Sequence, residues 1–286
     1  MREARFVVPF GSQGAADRAA RAVALSIGAD GMTLEVENVP GGGGLAGVRR
    51  AKALVAGSRD PVLLLATPST HVLLPARLGP QAGPGSAFEP LLGLGSAPNV
   101  LLASPRLGVH NVGELVARAR AGDLVYGSAG TGQTIHVCSA LFCEQAGIRM
   151  AHRPFDEGSA GAYPELVDGR IHVYFDNLLG CREAIGRGDA LALAVSSLRR
   201  SDLVPHVPTL AECGFPGHAL DVWFGVFGAG VDSPWRSRIA SAREDERLRE
   251  QLQGLGLAGG PVDGEALAAI VAASAPRWLE ALRSAA

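Results

Sequence analysis

At 286 residues the chain is long enough for two domains or for one large α/β domain. It is 47% hydrophobic with 38 Gly and 18 Pro, a composition that suits a globular protein rich in strand–turn–helix junctions. A net charge of -2, with scattered arginines and Lys52 as the only lysine, excludes the electrostatic footprint of a nucleic-acid or anionic-membrane binder, and no apolar run reaches membrane-spanning length.

Apolar runs of strand length alternate with helical patterns, the signature of βα units and mostly parallel sheets. In chain order, strands are predicted at residues 5–10, 33–39, 62–66, 124–126, 171–175 and 191–195. The first is followed by a helix on which Ala16, Ala19, Ala20, Val23 and Ile27 recur at helical spacing. Further helices are predicted near 45–55, 112–121, 134–146 and 160–167. Residues 97–103 and 221–228 read as two crossings between lobes, with helices following at 235–253 and 265–284. The expected architecture is a two-lobed α/β fold, each lobe a mostly parallel sheet flanked by helices. Lobe one takes 1–102 plus 223–286, lobe two takes 103–222, and the paired crossings form a hinge.

Two Gly-rich loops, each leaving a short apolar strand and entering a helix, carry the chemistry. The first is Val8-Pro9-Phe10-Gly11-Ser12-Gln13-Gly14-Ala15-Ala16-Asp17, and the second is Tyr126-Gly127-Ser128-Ala129-Gly130-Thr131-Gly132-Gln133-Thr134. Glycines let a backbone turn tightly and approach a ligand closely. The helix start that follows offers N–H groups without intrahelical partners and a partial positive charge. Two such ends facing one cleft hold a carboxylate or phosphate without a charged side chain.

Other patterns have competing readings. Gly42-x-Gly44-x-x-Gly47 satisfies a dinucleotide pattern, but Pro40 intervenes, and where an acid is required the chain has Ala66-Thr67-Pro68-Ser69-Thr70. A tight structural turn is the better reading. Ser128, His136 and Asp176 could form a hydrolase triad, yet the glycines around Ser128 are out of register for a nucleophile elbow. His136 either faces the cleft or packs internally. Asp17 either stabilises its helix start or meets a ligand amine or ordered water. Asp176 ends a strand where open α/β sheets bind ligands, and Asn177 equally suits an N-cap. The four cysteines make neither a disulfide framework nor a zinc site and read as small core residues.

In order along the chain, these residues resemble the tripartite tricarboxylate transporter substrate-binding family, also called Bug receptors. Val8-Pro9-Phe10 with Gly14 and Asp17 is similar to its first ligand loop. Val36-Glu37-Asn38 with Pro40-Gly41 and Gly43-Gly44 is similar to its Val-Glu-Asn-x-Pro-Gly-x-Gly-Gly signature. Ala66-Thr67-Pro68-Ser69-Thr70, Pro98-Asn99-Val100 and the Gly127–Gly132 loop with His136 follow in their expected places. Phe175-Asp176-Asn177, Val207-Pro208-Thr209 and Trp223-Phe224-Gly225 complete the series.

The resemblance implies a periplasmic receptor of the two-lobed periplasmic-binding-protein (type II) fold that is not an enzyme, closes on a small organic carboxylate and delivers it to a membrane permease. No cofactor, metal or nucleic acid is implied, and a monomer is expected. No leader pattern opens the chain, so its start reads as that of a cytosolic protein or of a trimmed mature domain. Phe10, Gly11, Ser12, Gly14 and Ala15 with Asp17, and Gly127 through Gly132, form the expected grip. Thr67, Ser69, Thr70, His136, Ser159 and Asp176 orient the rest of the ligand. The chain departs from the family pattern at Gly11-Ser12-Gln13, at Ala16, and at Gln133 and Ile135, which replace commoner hydroxyl residues. It also places Asp156-Glu157 where the family carries a cation, an edge expected to disfavour a dianion and to favour a ligand with an amine. An α/β hydrolase or transferase using Ser128 and His136, and a cytosolic ligand sensor on the same fold, are the alternatives.

Overall fold

The computed structural model describes residues 2–12, 14–28, 31–155 and 158–285. The chain begins with β1 (Arg2–Val8), α1 (Ala15–Ile27), β2 (Met32–Asn38), α2 (Leu45–Gly57), β3 (Val62–Ala66), α3 (Leu74–Leu78) and β4 (Glu89–Ala103). Next come α4 (Val112–Ala121), β5 (Val125–Ser128), α5 (Thr134–Ala146), β6 (Ala151–Pro154), α6 (Ser159–Val167), β7 (Val173–Asn177), α7 (Leu178–Arg187) and β8 (Leu191–Val195). The last elements are β9 (Asp221–Ala229), α8 (Ser233–Ala242), α9 (Glu246–Gly254), β10 (Val262–Asp263) and α10 (Gly264–Arg283). The chain divides into two compact units. The first runs to Ser96 and takes in Trp223–Pro276, and the second comprises Ala97–Val222 with the stretch from Arg277 onward.

In the first unit β1 lies between β2 and β3 and is parallel to both, with Phe6 opposite Val36 on one side and Leu63 on the other. β9 returns antiparallel along β3, and β10 pairs antiparallel with β4. Every residue of β3 is buried, as its unbroken apolar run requires of a strand covered on both faces. Val7, Val48, Leu64, Phe88, Phe227 and Leu267 belong to the core that closes over it.

In the second unit β5 is parallel to β6 and to β7, while β4 runs antiparallel to β7 and to β8. Strand β7 starts and ends two residues later than its apolar run predicts. The backbones of Asp176 and Asn177 pair with Val100 and Asn99, which extends the strand into polar sequence. The single helix expected over 235–253 is two helices. Asp245 stops the first and caps the second by accepting from the N–H groups of Arg247 and Leu248.

The Gly42/Gly44/Gly47 pattern has a packing explanation. A Cβ on Gly47 would stand 2.5 Å from the Cα of Pro9, and one on Gly44 would stand 2.9 Å from the Thr70 methyl. These glycines let the start of α2 press against the loop that leaves β1, and no nucleotide is needed to account for them.

His218 is buried in the second unit, its ring stacked on Phe175 with centroids 5.6 Å apart, and neither ring nitrogen has a protein hydrogen-bond partner among the described residues. Burial lowers its pKa to about 4. An unfolded chain therefore takes up this proton near pH 6.5 while the folded one does not, so stability falls as pH drops below that value. Between pH 7 and pH 5 this single group should cost about 2 kcal/mol. His218→Phe should flatten the acid limb of a Tm-against-pH curve by that amount, as measured by calorimetry.

Candidate functional site

In the first unit the loop after β1 is held from behind. Asn38 at the end of β2 donates through Nδ2 to the Phe10 carbonyl (3.2 Å), and its own Oδ1 accepts from Arg21 (3.2 Å). Arg21 in turn pairs with the buried Asp17 one turn earlier, at 3.0 Å. Asp17 thus anchors its helix to the strand beside the loop, with its carboxylate facing Arg21. Gly11, Ser12 and Gly14 are exposed, and Gly14 is the N-cap of α1 and supplies no side-chain cap.

The chain leaving β3 enters a π-helical turn, Ser69–Leu73, a rare geometry that recurs at functional sites. Thr70 is fully buried and its hydroxyl is committed locally, donating to the Thr67 carbonyl (3.1 Å) and accepting from the Thr67 N–H (3.2 Å). The Thr67 hydroxyl is buried without a hydrogen-bond partner among the described residues. Ser69 is buried on the same turn.

In the second unit the loop after β5 is tied to itself and to two histidines. The Ser128 hydroxyl accepts from the Gly130 N–H (3.2 Å), lies 3.2 Å from the Gly130 carbonyl, and is 2.7 Å from Nε2 of His152. The Gly132 N–H donates to Nδ1 of His136 at 3.0 Å, which fixes that nitrogen as the acceptor and the ring as neutral. The rings of His136 and His152 lie 4.1 Å apart, and Tyr126 stacks on His152 at 4.9 Å. Burial lowers the pKa of His152. Gly130 has φ +122, and a Cβ there would meet the Gln133 carboxamide. Thr131 is exposed, whereas Ile135 is buried and turned into the fold.

Beside this loop lies a second polar group. A Cβ on Gly127 would meet the Tyr174 ring, and the Tyr174 hydroxyl is 3.1 Å from Ser159. Tyr163 donates to the buried Asp176 at 3.0 Å, and Asp176 also accepts from the Asn177 N–H at 2.8 Å. Burial outweighs these hydrogen bonds and raises the Asp176 pKa to about 6. Asn177 caps α7.

Each unit therefore gathers its own share of the expected residues: the first loop with Thr67–Thr70 in one, and the second loop with His136, Ser159 and Asp176 in the other. Gln13 and the acidic pair Asp156 and Glu157 lie outside the described residues. His152, Tyr163 and Tyr174 were not singled out from the sequence. The partner of Ser128 is His152 rather than His136, and Ser128 is 0% exposed. All four cysteines are free thiols; Cys138 is buried beside Asn99, and burial pushes its pKa up to about 12. Among the described residues no group of three metal-ligating side chains occurs, and no helix is long and apolar enough to cross a membrane.

Fold and site define a two-lobed α/β solute-binding protein. The family described as "Tripartite tricarboxylate transporter family receptor" matches residues 21–240, and the chain belongs to it. A relative from Pseudomonas sp. (strain P51), "UPF0065 protein in tcbD-tcbE intergenic region", is 30% identical over 284 residues, covering 96% of this chain and 83% of that one. The periplasmic binding protein BugD superposes with a TM-score of 0.85 at 27% identity, covering 99% of this chain and 97% of that one. Rpa4515 of R. palustris, solved with adipate, gives 0.85 at 26% identity over 99% and 97% of the two chains. MatC of Rhodopseudomonas palustris, solved with bound malate, gives 0.82 at 25% identity over 98% of each. BugD is a periplasmic binding protein and the matched family is one of receptors, so the chain is a binding protein, not an enzyme.

The Ser128–His152 bond is testable by a double-mutant cycle. Ser128→Ala and His152→Phe, which keeps the ring stack, should each cost about 1 kcal/mol in urea unfolding. The double variant should lose about 0.5–1 kcal/mol less than their sum. Simple additivity would show that the bond contributes nothing to the loop.

Proposed function

We propose that this chain is an extracytoplasmic receptor that takes a small organic carboxylate between its lobes and delivers it to a membrane permease of the tripartite tricarboxylate type. The backbone amides of residues 11–15 grip the anion together with those of the 128–132 loop other than Gly130 and Gly132, whose N–H groups already serve Ser128 and His136, and ordered waters complete the shell. The observation that carries this reading is a repeated one. Two Gly-rich loops each lead into a helix, α1 or α5, whose N-cap residue supplies no side-chain cap. Neither loop carries a lysine, an arginine or a metal ligand at its tip. A site of this kind prefers an anion through main-chain dipoles. The adipate and malate carried by Rpa4515 and MatC support a carboxylate over a phosphate.

In this reading the protein works in the periplasm as a monomer. Closure removes water from the hydrogen bonds and strengthens them. Thr67, just past the end of β3, brings a buried hydroxyl with no protein partner among the described residues as a group that orients the ligand.

The test is a thermal-shift screen of the purified chain against mono-, di- and tricarboxylates, amino acids and pyridine carboxylates. A ligand present at ~100 times its Kd stabilises the folded state by about 2.7 kcal/mol, a shift of several degrees. A carboxylate that raises Tm and is recovered chemically unchanged is the expected result. Gly130→Val, which puts a branched side chain at φ +122 where the carboxamide of Gln133 already sits, should abolish that shift while the far-ultraviolet dichroism stays native. Full affinity in this variant would remove the second loop from the site.

A further inference from the structure

Position 133 is the N-cap of α5, with extended backbone at φ -81 and ψ 169. A short polar side chain there would turn inward and bond an N–H of the first helical turn. Gln133 makes no such bond. Its longer side chain folds back along the loop instead, where Nε2 donates to the Ala129 carbonyl. The same nitrogen stands 2.8 Å from the point a Cβ on Gly130 would occupy. The space that a glycine leaves open over the loop backbone is therefore filled by the chain's own carboxamide. Gln133 is half-buried.

We propose that Gln133 is the residue that sets ligand length at the second loop: its carboxamide shortens the space above Gly130 and selects short carboxylates over long ones. This rests on the reading of the loop as an anion grip. The carboxamide has the planar shape of a carboxylate without its charge, and it brings both donors and an acceptor. A ligand carboxylate reaching for the backbone at Gly130 meets this group first. It either stops short of it or displaces it from Ala129, and a chain long enough to span an unfilled loop no longer fits. The neighbouring buried side chains do not do this work. Ile135 points into the fold, and the Ser128 hydroxyl is spent on Gly130 and His152.

The experiment is isothermal titration of the full chain with the α,ω-dicarboxylates from malonate to adipate, on wild type, Gln133→Ser and Gln133→Ala. Serine restores an N-cap and so guards against loss of the helix start, and Tm without ligand reports folding. In wild type affinity should fall with chain length. In both variants the ratio of adipate to malonate affinity should rise by about tenfold or more, the scale on which a pocket discriminates by methylene groups. Gln133→Glu, of the same shape but charged, should weaken every acid in the series. If acids bind to wild type and variants with the same order of preference, Gln133 does not set length and the proposal falls while the receptor reading stands. If no acid binds to any of the proteins, the carboxylate reading fails and takes this proposal with it.

Discussion

A backbone that is to meet an anion directly has to end a strand, turn with no Cβ in the way, and start a helix whose first N–H groups no side chain has claimed. Much else in this chain follows from that constraint. It accounts for β1 and β5 each sitting in parallel pairings and each opening into a glycine-rich turn. It also accounts for the support behind those turns, since a loop without side-chain anchors of its own has to be fixed from outside. In the first unit the Asp17–Arg21–Asn38 chain reaches the Phe10 carbonyl, and Gly44 and Gly47 let α2 press on Pro9. In the second, Ser128 and His136 hold the loop by its own main chain, and His152 holds Ser128.

Burial biases several interior groups of the second unit toward their neutral forms. His218 is held uncharged against Phe175, the Cys138 thiol is pushed far from ionisation, and Asp176 takes up its proton at a pH about two units above that of a solvated carboxylate. Desolvation dominates in each case. His136 fits the same pattern, because accepting the Gly132 N–H leaves no room for a proton on that nitrogen.

The strands and helices with a clean period were legible from sequence. The five-residue apolar run of β3 and the helices α2, α4 and α5 fall where hydrophobic spacing puts them. What was not legible had specific causes. Strand β6 is polar and mostly exposed, Ala151-His152-Arg153-Pro154, and shows no strand pattern; only its parallel pairing with β5 sets His152 opposite Tyr126 and within reach of Ser128. The break between α8 and α9 depends on one cap, Asp245, inside an otherwise helical pattern. The π-helical turn after β3 has no periodic signature at all. Tyr163 and Tyr174 read as ordinary core aromatics, and their hydroxyls became informative only when β7 and α6 brought them to Asp176 and Ser159.

The local confinement of the Ser128 loop bears on how such a receptor diversifies. Its shape is written in the hydrogen bonds that Ser128 and His136 make to its main chain, in the Ser128–His152 bond, and in the φ of Gly130. On its outer side Thr131 is exposed, and the Gln133 side chain meets the loop through its bond to the Ala129 carbonyl rather than as a helix cap. Natural variation can therefore work on those outer positions one at a time without renegotiating the fold. A lineage built on this scaffold can change its diet by point substitution and keep the mouth it eats with.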